Sequence, residues 1–376
     1  MRGARRVLRL WHRCFGIGAG LWLLLLAVTG CAITFYDELD RWLNPDWRHI
    51  AQPWTDAPQL DAALANAARR LPAFTPRLID LPDAPSHSIL IVGSLARPGE
   101  GPRPAQLFAD PRNGHVLGWR EGGRLAFDRH HVMDTLYALH MDLMLGETMA
   151  WFLGLVALAW VLDHLPAIIL AIPRLGKWRT AFQVQGRGFN LRRLFDLHRA
   201  PGVWAFPITL TLAITGLCLS WQEEMRSLVS LASPVSERLH YSLPPMSGAS
   251  HAVPIDPILQ QMGVQGRRID MIQLLPHQGL YAFRAHDPRD LDGMGRLWLY
   301  VRQQDGRAAG ARHDNGVSAG DHFFAWQYPL HSGKAFGLAG RIAIFCAGIA
   351  TVLTAITGIL LFMFRVDGRR RSREKG

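Results

Sequence analysis

His12-Arg13-Cys14-Phe15-Gly16, followed by Thr29-Gly30, recurs as His198-Arg199-Ala200-Pro201-Gly202 followed by Thr215-Gly216, with every shared position displaced by 186 residues. Further along, His131, Tyr137, His140 and Gly146 recur as His322, Tyr328, His331 and Gly337 at an offset of 191. Chance is a poor explanation for matches held at a fixed offset. The 376 residues read as two copies of one unit. In each copy the first motif opens an apolar stretch and the second motif precedes another.

Residues 15–36, 149–172, 203–221 and 336–364 are apolar over lengths that suit a bilayer core of about 30 Å at 1.5 Å rise per helical residue. Charge agrees with that assignment. Of the 41 Lys and Arg residues, 18 fall in residues 1–13, 173–199 and 365–375, against only Asp196, Asp367 and Glu374. These three segments carry +15 of a chain whose net charge is +11, so the remainder is −4. Basic segments bordering apolar spans fit the positive-inside bias of membrane proteins better than a nucleic-acid footprint. With 49% hydrophobic and 19% charged residues, disorder is excluded too.

The expected division is 1–36, an inside N-terminus and first span; 37–148, a first outside module; 149–172, a span; 173–202, an inside loop; 203–221, a span; 222–335, a second outside module; 336–364, a span; and 365–376, an inside tail. Both repeats begin inside, so they are parallel, related by an axis along the membrane normal. In a bacterial inner membrane both termini are cytoplasmic and both modules periplasmic. Val28-Thr29-Gly30-Cys31 is similar to a lipoprotein cleavage box. The apolar run continues to Tyr36, and the second copy has Leu217 in the place of the cysteine, so the segment reads as a retained span. Cys14, Cys31, Cys218 and Cys346 all lie in or beside spans, which argues against a disulfide framework.

Each outside segment reads as a small α+β module. In the first, residues 60–71 have helical composition, 88–93 form a strand, and 106–118 read as strand, turn, strand with Asp110, Pro111 and Gly114 at the turn. In the second, 255–262 read as helix, 280–284 and 297–302 as strands, and Gln304-Asp305-Gly306 as a turn. Neither holds enough apolar residues for a sizeable core alone, so the modules are expected to pack on each other or on the membrane helices.

The histidines carry the chemistry. His12 and His198 sit at the inner ends of the first and third spans, while His140 and His331 precede the second and fourth on the outer side. The repeat axis brings His12 near His198 and His140 near His331. Two histidines facing each other across a helix bundle supply both axial ligands of a b-type haem, so two haems are expected. Gly16, Gly202, Gly146 and Gly337 would admit a planar macrocycle, and Arg13, Arg199 and Arg341 offer charge to its propionates. His131, His322 and His164 stand as alternative ligands; His164 lacks a counterpart, since Ala355 occupies the matching position. Asp163, beside it, is a further ionisable group inside a span. Gly16-Ile17-Gly18-Ala19-Gly20 follows no strand and is no dinucleotide fingerprint. Without a nicotinamide or flavin site, electrons must come from a quinol or a partner reductase.

These features resemble the PepSY-associated transmembrane family, and more narrowly its members implicated in siderophore iron reduction. The resemblance rests on the two His-Arg-x-x-Gly motifs, the Thr-Gly pairs, Leu139-His140 and Leu330-His331, and Ala109-Asp110-Pro111-Arg112-Asn113-Gly114-His115-Val116-Leu117-Gly118, which is similar to the PepSY terminal hairpin. The second hairpin, from Tyr300 to Arg307, lacks the Asp-Pro step. The resemblance implies an inner-membrane, haem-bearing reductase that passes electrons to ferric siderophores in the periplasm. The expected fold class is a mainly α membrane protein of four transmembrane helices in two parallel span–PepSY–span repeats. Two other functions stay open: a membrane-anchored PepSY binding or assembly module without redox activity, and a transporter or sensor of metal or haem.

Overall fold

The computed structural model describes residues 2–172, 175–185, 188, 190–243 and 252–373. Arg174, Arg187, Glu374 and Lys375, which contribute to the charged segments, lie outside the described residues. In chain order the main elements are α1 (Arg2–Gly18), α2 (Gly20–Ile33), α3 (Leu60–Arg70), β1 to β4 (Phe74–Asp80, Ile89–Arg97, Glu100–Ala109, Val116–Glu121), α4 (Val132–Asp142), α5 (Glu147–Ala171), α6 (Leu191–Ser220), α7 (Ile255–Val264), β5 to β8 (Ile269–Leu275, Leu280–Ala285, Leu297–Arg302, Ala308–His313), α8 (Ala319–Ser332) and α9 (Gly337–Arg373). They form two compact units, a helical one of Met1–Phe35, Leu136–Met225 and Gln327–Gly376, and a second of Tyr36–Thr135 and Arg226–Trp326 that holds the strands.

In the helical unit α5, α6 and the helix through α9 are each long and apolar enough to cross a membrane. The first apolar stretch is not one straight helix: α1 and α2 are bent by 58° and pass the same test only together. Glycines on both sides of Ala19 lower the cost of that break. Helix α6 begins at Leu191, well before its apolar stretch, because the Asn190 side chain accepts the Arg193 N–H and caps it. It packs on α5 and α9, while α9 packs on α2 and α1 on α5. After α4 the chain reverses through Leu143, Met144 and Gly146, all at positive φ, before α5 begins.

The second unit is one eight-stranded antiparallel sheet in the order β4-β3-β2-β1-β5-β6-β7-β8. Its first four strands come from residues 74–121 and its last four from residues 269–313, and the two sets meet edge to edge. At the seam Leu78, Ile79 and Asp80 of β1 pair with Gln273, Ile272 and Met271 of β5. Ile79 and Ile272, paired there, are both fully buried. Period-2 alternation along β2 sends Ile89 and Ile91 to the same core, where α3 and α7 cover Leu107, Ile272 and Phe283 with Leu60, Ala63, Ala67, Ile255 and Met262. Sharing one core lets two modules, each too poor in apolar surface to stand alone, form a stable body. The β3–β4 turn folds as its residues dictate: Asp110 Oδ1 accepts the Arg112 N–H, and Gly114 has φ +67° in a place where a Cβ would lie 2.4 Å from the Ala63 nitrogen.

The two helices are tied by reciprocal caps. The Asp61 carboxylate accepts the N–H groups of Ile255 and Asp256 at 2.9 Å each, and the Asp256 carboxylate accepts those of Leu60 and Asp61 at 2.8 and 3.2 Å. Burial and the facing Asp61 raise the Asp256 carboxyl above its ordinary range, which the N–H donors partly oppose. Removing either carboxylate orphans two helix N–H groups, so Asp61→Ala and Asp256→Ala are each expected to destabilise the sheet unit by about 1–2 kcal/mol. A shift in thermal unfolding measures this.

Candidate functional site

In the helical unit the histidines come together in two pairs. The ring centroids of His12 and His198 are 6.0 Å apart, and those of His140 and His331 are 6.3 Å apart. His198 and Thr215, which belong one to each pair site, are 17 residues apart on the same helix, which places the two pairs about 26 Å apart along it.

Three of the rings rest on the same local construction. His140 Nδ1 donates to the Leu26 carbonyl at 3.0 Å and lies 3.1 Å from Thr29 Oγ1. His331 Nδ1 lies 2.9 Å from Thr215 Oγ1, with the Leu212 carbonyl also accepting from it. His198 Nδ1 donates to the Thr354 carbonyl at 2.8 Å and lies 3.3 Å from Thr357 Oγ1. Each threonine gives its own proton to the carbonyl four residues earlier, Leu25, Thr211 or Leu353, which leaves its oxygen free to accept. The next residue is glycine every time. A Cβ would fall 3.0, 3.4 and 3.0 Å from the ring Cε1 at Gly30, Gly216 and Gly358 respectively, so a side chain there would press on the imidazole.

The fourth ring is held differently. His12 Nδ1 meets Asp163 Oδ2 at 2.8 Å, and the Asp163 side chain is only 4% exposed. A carbonyl oxygen accepts and does not donate, so the rings resting on carbonyls carry a proton on Nδ1; in His12 the same nitrogen is engaged by Asp163. In all four, Nε2 is the nitrogen left for a metal.

The pairs fit a metal group bound from both faces. With metal–imidazole bonds of roughly 2 Å on each side, the two ring centroids would stand about 6 Å apart, as both pairs do. Two histidines alone are too few for a bare ion, and no cluster of three or more His, Cys, Asp or Glu groups suited to one occurs among the described residues. A macrocycle that brings its own four equatorial nitrogens needs only these two.

The alternative ligands are placed elsewhere. His131 and His322 belong to the sheet unit, where His131 Nδ1 pairs with Asp128 at 2.8 Å and His322 is exposed. His164 is buried with both nitrogens in use, Nδ1 on the Trp160 carbonyl and Nε2 3.2 Å from Thr209 Oγ1, so it ties α5 to α6. Arg199 already bonds Asp196 and the Thr180 carbonyl, Arg341 bonds the Thr34 carbonyl, and Arg13 is exposed. Among the glycines singled out in the sequence, Gly146 and Gly337 have φ of +77° and +57°, the first as the residue before α5 and the second as the first residue of α9. A Cβ at Gly16 would meet nothing within 4 Å, and one at Gly202 would touch Thr354. The glycines that seat the rings are the ones after threonine. Thr29-Gly30 and Thr215-Gly216 are visible as a repeat, whereas Thr357-Gly358 has no repeated partner, because the matching first-copy residues are Pro166-Ala167.

No curated protein matches the chain. Its residues 9–365 match the PepSY-associated TM region. With a helical unit of several candidate spans and an antiparallel sheet, and with that match running over nearly its whole length, the protein is a membrane protein belonging to the PepSY-associated transmembrane family.

Proposed function

We propose that the protein is a dihaem b electron-transfer reductase of the bacterial inner membrane that reduces Fe(III) in siderophore chelates on the periplasmic side. The observation that carries this reading is the pair of two-histidine sites near opposite ends of α6, with centroid spacings of 6.0 and 6.3 Å and every Nε2 free to ligate. Haem bound there supplies one-electron cycling of iron between its ferric and ferrous states. The chain's part is to fix each imidazole by its Nδ1 hydrogen bond, to leave Nε2 as the donor nitrogen, and to hold the half-buried rings between helices.

In this reading α1–α2, α5, α6 and α9 are four spans in two parallel repeats, with the termini and residues 173–199 in the cytoplasm. The basic residues of those segments support that orientation. Electrons come from a quinol or a partner reductase at the His12–His198 end. Ferric siderophore is the substrate at the His140–His331 end, because hard oxygen ligands hold Fe(III) more tightly than Fe(II), so adding one electron loosens the chelate.

The test is anaerobic reoxidation of the dithionite-reduced, desalted protein by a ferric hydroxamate siderophore, with a ferrous chelator present. Reoxidation matched by one trapped Fe(II) per electron is expected. A reduced protein that stays reduced over the uncatalysed background contradicts the reading.

A further inference from the structure

Three of the four paired histidines rest on neutral oxygens at identical spacing: a carbonyl, a threonine three residues on, and a glycine next to it. At the fourth position that construction is replaced. Asp163 aligns with Thr354, and Pro166-Ala167 align with Thr357-Gly358, at the same offset of 191. The backbone seat is gone, and a carboxylate takes its work, with Oδ2 on His12 Nδ1 and Oδ1 buried without a hydrogen-bond partner. A buried carboxylate with one oxygen unsatisfied is costly to retain in a span, so its presence in place of a neutral seat that the same protein builds three times calls for a function.

Resting on the dihaem reading, we propose that Asp163 is a positioning residue that makes the His12–His198 site the lower-potential of the two. A carboxylate accepting the Nδ1 proton shifts electron density onto the imidazole and strengthens its donation through Nε2, which favours the ferric ion. Its fixed negative charge, screened little inside the helix bundle, acts in the same direction. The His140–His331 site has only neutral acceptors on both rings. Transfer between the two sites is one electron, oxidising the iron held by His12 and His198 and reducing the iron held by His140 and His331, with no bond broken and no proton moved. The asymmetry of the seats therefore gives electron flow a downhill direction toward the ferric-chelate end.

The experiment is a spectroelectrochemical titration of the full-length protein in detergent. Two resolved steps are expected in the wild type. Asp163→Asn, which keeps an oxygen acceptor and the side-chain shape without the charge, is expected to raise the lower midpoint and narrow the gap while the upper midpoint stays in place. Asp163→Glu should keep the lower midpoint low. A lower midpoint unmoved in Asp163→Asn at full haem content overturns the proposal. Should Asp163→Asn lose haem, His140→Ala decides: its remaining step must be the lower one, and retention of the upper step overturns the assignment. A wild type without haem sinks the underlying reading instead, so the two failures are distinct.

Discussion

His12→Ala and His198→Ala are each expected to lose the same one of two haems, and His140→Ala and His331→Ala the other. The expectation follows from the partition of the rings, since His12 stands 6.0 Å from His198 and His140 6.3 Å from His331, with about 26 Å of α6 separating the pairs. Removing one imidazole leaves a single axial ligand, and the remaining site is too far away to compensate. Haem content should fall from two per chain to one in every single variant and to none in His12→Ala combined with His331→Ala. The doubles His12→Ala/His198→Ala and His140→Ala/His331→Ala should each retain one. Pyridine haemochrome assay of the purified variants measures this. A common haem lost by both His12→Ala and His140→Ala would require the ligands to be reassigned.

The second large effect concerns where substrate is reduced. In His331→Ala, reoxidation by ferric siderophore is expected to fall to background while the haem held by His12 and His198 remains reducible. The electron must leave from the site nearest the chelate, and with that site gone the chelate loses the carrier that hands it the electron, while the remaining donor lies about 26 Å further along the bundle. Stopped-flow absorbance at the Soret band reads it. Undiminished reoxidation in His331→Ala would place the chemistry at the other end.

Much of this was legible in the sequence because duplication doubles every signal. The two His-Arg motifs and the offset of 191 pair the four histidines in the sequence alone, and the structure brings those pairs together. What seats them was less legible. Thr29-Gly30 and Thr215-Gly216 showed as a repeat, but nothing in a linear motif says that the threonine oxygen accepts from a histidine more than 100 residues away. Thr357-Gly358 was hidden because its counterpart had diverged to Pro166-Ala167, and Asp163 was visible only as an ionisable residue in a span, without its partner.

The sheet shows the same limit. Strands β2, β3, β6 and β7 announce themselves as short apolar runs between turn residues, whereas β1 and β5 do not. Pro76 interrupts β1 at a register shift, and proline inside a run argues against a strand. The β1–β5 pairing joins residues nearly 200 positions apart, and no local pattern encodes it. The bend at Ala19 leaves no mark in hydropathy, which is continuous across it, although Gly18 and Gly20 flank the place.

The most direct test of the central claim is haem quantified per chain alongside oxidised and reduced absorption spectra of the protein purified after expression with adequate haem. Two low-spin, bis-histidine b-type haems per chain are the predicted result. A folded protein without a Soret band would contradict the account and leave the four histidines as structural polar groups.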